Sequence, residues 1–99
     1  MSLNNLISVT YSDSELRILV EEFITKQTKE FTFKSLCSFV LYWALEEGKT
    51  VGEDGVLCGS NELHQSDQDR VRSILDSIVK DGRIAIWPRN NTRFEIRAY

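Results

Sequence analysis

Leu16, Leu19, Val20, Phe23 and Ile24 recur at helical spacing, with Arg17, Glu21, Glu22 and Lys26 falling between them. Ser12-Asp13-Ser14-Glu15 just ahead reads as a capping box, with Ser12 or Ser14 as N-cap and acids in the first turn. The pattern predicts a first amphipathic helix over residues 13–28. Residues 1–12 carry Leu6, Ile7, Val9 and Tyr11, which fit either a strand or an arm lying on the core. Phe31-Thr32-Phe33 alternates for the length of a minimal strand. A second helix is expected over 33–47, closed by Gly48 as a left-handed cap. Leu36, Val40 and Trp43 form its stripe, Cys37, Leu41, Ala44 and Leu45 widen it, and Phe39 and Tyr42 fill much of the remaining circumference. A helix apolar on nearly every side needs cover on nearly every side, from its own domain or from another chain.

Residues 48–62 hold four of the five glycines and read as a Gly-rich loop, with Asp54-Gly55 between Val51 and Val56 as a candidate small hairpin. A third helix is expected from an N-cap at Ser66, with Asp67 and Asp69 in its first turn and Gly82 at its end. Val71, Ile74, Leu75, Ile78 and Val79 make its buried stripe, and Gln68, Arg70, Arg72, Ser73, Asp76 and Lys80 its opposite face. Residues 83–87 and 93–98 read as two strands joined through Pro88-Arg89-Asn90-Asn91-Thr92. Ile84 and Ile86 share one face with Phe94, Ile96 and Ala98; Arg83, Ala85, Trp87, Arg93, Glu95 and Arg97 take the other. Trp87 either packs under the hairpin or stands outside as a cation–π partner of Arg93 or Arg97, and the area a tryptophan gains by burial favours packing.

At 99 residues, 41% hydrophobic and 27% charged, the chain has the composition of one ordinary globular domain, residues 13–99 behind the 1–12 segment. The longest apolar run, 39–45, is far short of a membrane span. No basic stretch followed by an apolar one opens the chain, and Cys37 and Cys58 cannot form a disulfide scaffold, so a cytoplasmic protein is expected. The net charge of −3 argues against broad affinity for nucleic acid, but it is unevenly spread. Residues 1–62 carry five Lys/Arg and ten Asp/Glu, whereas residues 63–99 carry seven and five. Catalytic and metal chemistry find little support. His64 is the one histidine, it stands six residues after Cys58 without zinc-type spacing, and Gly48-Lys49-Thr50 follows a helix instead of opening one. No Gly-x-Ser-x-Gly elbow accompanies the serines. A non-enzymatic protein without cofactor or metal is expected.

Helix, minimal strand, two helices and a two-stranded hairpin make an α+β order that resembles the winged-helix domain. The stretch from Val71 to Ile84, two pairs of aliphatics followed by Lys80-Asp81-Gly82 and a strand, is similar to that family's third helix running into its wing. One departure is the interval 48–65, several times the roughly three- or four-residue turn of a helix-turn-helix. The resemblance implies a DNA-binding protein, a small transcription-related regulator. Gln68, Arg70 and Arg72 would face the major groove, and Arg89 and Arg93 would take phosphates at the wing. Few basic contacts per domain imply a dimer on two half-sites, joined through Phe39, Tyr42 and Trp43. The alternative is a protein-interaction or assembly module on the same scaffold. Phe39, Tyr42 and Trp43 are then the functional patch, and the arginine-bearing hairpin meets an acidic partner.

Overall fold

The computed structural model describes residues 4–51, 60–87 and 89–96. Among them the chain forms three helices and five strands: β1 (Asn4–Ile7), α1 (Asp13–Thr25), β2 (Glu30–Thr32), α2 (Phe33–Glu47), β3 (Ser60–Leu63), α3 (Gln65–Lys80), β4 (Ile84–Trp87) and β5 (Asn90–Ile96). The expected α+β class holds. The candidate hairpin around Asp54-Gly55, along with Cys58, Arg97 and Ala98, lies outside the described residues.

The caps explain where two of the helices begin and end. Ser12 closes a full capping box with Glu15 at the start of α1, which settles the choice between Ser12 and Ser14. This helix stops at Thr25, three residues before the expected end. There Lys26 N–H turns back to Phe23, and Thr25 Oγ1 and Gln27 Nε2 donate to Glu21 and Phe23 carbonyls. Thr32 and Ser35 form a second capping box at α2, and Gly48 at φ 68° ends that helix in the left-handed conformation predicted for it.

The start of α3 needs correction. His64, not Ser66, is the N-cap, and its Nδ1 accepts from Ser66 N–H at 3.2 Å. The reason is tertiary: His64 N–H donates to Ile7 C=O at 2.8 Å, so the end of β3 is pinned to β1 and the helix starts directly after it.

Of the residues before α1, Asn4–Ile7 form a strand. β1 pairs in parallel with β3, Asn4 opposite Ser60 through Ile7 opposite Leu63. Beyond it Val9 bridges Thr50, and Thr10 N–H donates to Lys49 C=O at 2.8 Å. The N-terminal segment is thereby threaded between the two ends of the 48–62 interval. The second sheet has order β2-β5-β4, all antiparallel, with Phe31 opposite Phe94 and Ile84 opposite Ile96. β5 opens at Asn90, earlier than expected, because Asn90 pairs with Trp87 across a register shift.

The core lies between the three helices and this sheet. Leu16, Val20, Leu36, Val40, Val71, Leu75, Ile78, Ile84 and Phe94 are all fully buried there. Phe31 stacks on Phe94 at 5.3 Å, and the ring contacts continue outward through Phe23, Phe39 and Trp43 to Tyr42 at the surface.

Candidate functional site

The arginines named from sequence do not come together as one open surface. Arg70 turns inward from α3. Its guanidinium pairs with Asp67 at 2.9 Å and Asp13 at 3.0 Å, and donates to Tyr11 C=O at 2.6 Å. Burial works against its charge, but the hydrogen bonds to Asp67 and Asp13 outweigh it and hold its pKa above the usual value. Asp67 is 4% exposed and also accepts from Val9 N–H at 3.0 Å. Together the two side chains buckle the N-terminal segment and the start of α1 onto α3.

Sequence reasoning missed this role for Asp67, which it read as a first-turn acid. Position 67 is four residues before Val71 and lies on the buried stripe with Leu75 and Ile78, which is the signal that could have found it.

Arg72 is also engaged. It lies over the rings of Phe94 at 5.2 Å and Phe33 at 5.7 Å, pairs with Asp76 at 3.5 Å and donates to Asn91 C=O at 2.7 Å. Arg93 pairs with Glu30 at 3.1 Å and stacks on Trp87 at 5.1 Å. Neighbours along a strand point to opposite faces, so Arg93 and Arg72, which caps Phe94, lie on opposite sides of the sheet. Trp87 stands on the outer face, against the expectation of packing, because Ile84 and Ile86 take the inward positions of β4. Arg83 pairs with Glu21, which also holds Arg17 at 3.3 Å.

Of the described arginines, Arg89 alone makes no ion pair among the described residues, at the exposed tip of the hairpin. Gln68 uses its amide to donate to Leu63 C=O at 2.8 Å.

The apolar residues named from sequence do meet. Phe39 and Trp43 are half-buried and Tyr42 is 56% exposed, with Tyr42 edge-on to Trp43 at 5.6 Å and Trp43 at 6.4 Å from Phe39. Across from them α1 contributes Leu19 and Ile18, the latter 64% exposed. A cleft of about 360 Å³ separates the two helices, with Leu19 and Trp43 among its walls and Tyr11, Glu15, Glu22 and Glu47 around it.

Phe23 packs on Phe39 at one end, while Glu15 and Glu47 flank the cleft at the other, so the helices run antiparallel. Among the described residues Glu15, Glu46 and Glu47 make no salt bridge. The Ser12 backbone and side-chain hydrogen bonds hold the Glu15 carboxyl below its ordinary pKa, which keeps it charged. Tyr11 donates to Glu47; burial first, and then this bond, push its phenol above the usual value.

A further cavity, about 640 Å³, is a trough along α2, β3 and the start of α3, and Lys34, Cys37, Glu62 and Gln68 line it. Burial pushes the Cys37 thiol up to about 12, so at neutral pH it is a small protonated core group and not a nucleophile. No group of three or more His, Cys, Asp or Glu among the described residues is placed to hold a metal ion. No described helix is long and apolar enough to cross a membrane. Comparisons with protein-family models, with characterised proteins and with solved structures gave no match.

Proposed function

We propose that this chain is a non-enzymatic protein-interaction module on a winged-helix-type scaffold. The scaffold reading rests on the order α1, β2, α2, α3, β4, β5, with β2 hydrogen-bonded to the hairpin's long strand. The parallel β1–β3 pair occupies the interval where a short helix-turn-helix turn would stand.

One observation carries the functional reading. Exposed aromatic and aliphatic side chains gather between α1 and α2 with Glu15 and Glu47, which make no salt bridge among the described residues, while three of the four arginines that would meet nucleic acid, Arg70, Arg72 and Arg93, are held by carboxylates and only Arg89 is not. Polyanion binding draws its free energy from cations that neutralise phosphates and release counterions. Arg70, Arg72 and Arg93 would each have to give up a partner first, and the surplus left to binding would be small. Lys29, Lys34, Lys49 and Lys80 make no salt bridge among the described residues and lie singly along the chain, near the ends of β2, α2 and α3.

A salt-titrated duplex-binding assay on the purified domain tests the reading. The expectation is no salt-steep binding at low ionic strength. Binding that weakens steeply with salt, and flattens on Arg89→Ala with Arg93→Ala, would establish the DNA-binding regulator instead.

A further inference from the structure

We propose that the α1–α2 cleft docks a basic, amphipathic segment of a partner protein. An apolar residue of that segment would insert between Leu19 and Trp43, and flanking lysine or arginine side chains would meet Glu15, Glu46 and Glu47. This rests on the interaction-module reading and adds the site and the chemistry of the partner.

Three features define the occupant. The cleft is apolar inside and acidic around it, so an apolar anchor flanked by cations matches both parts. From Glu15 to Glu22 the groove follows two turns of α1, roughly 10 Å, which one face of a short helix spans. The chain already shows the contact at the far end, where Lys26 Nζ rests 5.8 Å from the Phe39 ring centre and 3.9 Å from Glu22. A partner's ammonium group would repeat this over Trp43 and Tyr42, beside Glu46.

A second copy of this chain fits poorly. A two-fold interface through this face would bring Glu15 and Glu47 of one copy against the acidic rim of the other, and like charges brought together across an interface repel. Nucleic acid carries the wrong sign for the same reason.

The test uses the intact 99-residue chain with Trp87→Phe, so that emission reports Trp43. The probe is a helical peptide of about fourteen residues with leucines at i, i+3, i+4 and i+7 and lysines elsewhere, beside a counterpart bearing glutamates. The lysine peptide is expected to shift the emission and to perturb the amides of α1 and α2. Glu46→Lys should weaken binding about tenfold and Tyr42→Ala about thirtyfold, as for charged and aromatic interface residues; both side chains are exposed, so the fold is kept.

Equal binding of the glutamate peptide, or unchanged affinity in both variants, overturns the proposal. Perturbation confined to β4 and β5 also overturns it, while leaving the interaction module standing with a different site. Self-association that Tyr42→Ala abolishes would replace the basic partner with a second copy. Binding of neither peptide together with salt-steep duplex binding removes both readings.

Discussion

The two sides of α1 handle charge in opposite ways. Toward α3 and the hairpin, nearly every carboxylate has a cation: Asp13 and Asp67 hold Arg70, Glu21 holds Arg17 and Arg83, and Asp76 holds Arg72. Toward α2, Glu15 and Glu47 line the cleft with Ile18 and Trp43, Glu46 lies one helical turn along α2 from Tyr42 and Trp43, and none of the three acids makes a salt bridge among the described residues. The first arrangement holds the fold together, because a paired guanidinium ties two elements and has little left for a ligand. In the second, Glu15 caps α1 and Glu47 accepts from Tyr11, but neither carboxylate is neutralised by a salt bridge among the described residues, and apolar area and charge stay available. Clustered arginines in a sequence are therefore a weak sign of a polyanion site until their carboxylates are located.

The largest expected effect lies on the closed side. Asp67→Ala strands the Arg70 guanidinium and the Val9 N–H, and urea unfolding should show a loss of about 3 kcal/mol, tempered because Arg70 is partly exposed. A loss below about 1 kcal/mol would mean that the buckle is ornamental.

Arg72→Ala comes next, at about 1–2 kcal/mol, since it removes the cover of Phe94 and the bond to Asn91. Arg72→Lys should not restore it, as an ammonium cannot lie flat on two rings.

Stability should also fall in alkali. Cys37 and Tyr11 have raised folded-state pKa values, so the folded chain keeps protons that the unfolded chain releases. Their contribution is full below the ordinary values of 9.0 and 10.0 and is lost as pH rises above them. A urea midpoint that stays flat to pH 11 would contradict this.

On the acid side Glu15 has the opposite sign. Its lowered pKa contributes stability above the ordinary 4.5, lost as pH falls below it, and Glu15→Gln should reduce that dependence.

The smallest change belongs to the open side. Tyr42→Ala and Ile18→Ser should each move stability by less than about 0.5 kcal/mol, because their side chains are mostly in water already. A larger loss would show that this face supports the fold after all.

Legibility followed distance along the chain. The stripes of α1, α2 and α3, the glycine stop at Gly48 and the alternation of Ile84 and Ile86 are set by residues within a turn or two of each other and could be read directly, and the α1 cap was narrowed to Ser12 or Ser14. The apolar patch was also legible, because an excess of aromatic residues around one helix is a local fact. The parallel β1–β3 pair was not, since four residues pair with four others more than fifty positions away and neither run alternates clearly. That pairing in turn moved the start of α3 to His64.

The sequence by itself determined which segments coil, the hairpin strands, and which faces of them turn inward, because periodicity is local physics. Only the tertiary structure decided which charges stayed free. Arg70 reaches Asp13 across 57 positions and Arg83 reaches Glu21 across 62, and such pairings depend on how helices cross, which no local pattern records. The same crossing left Glu15 and Glu47 beside the cleft without a salt bridge among the described residues, and that electrostatic remainder is what the proposed partner would complete.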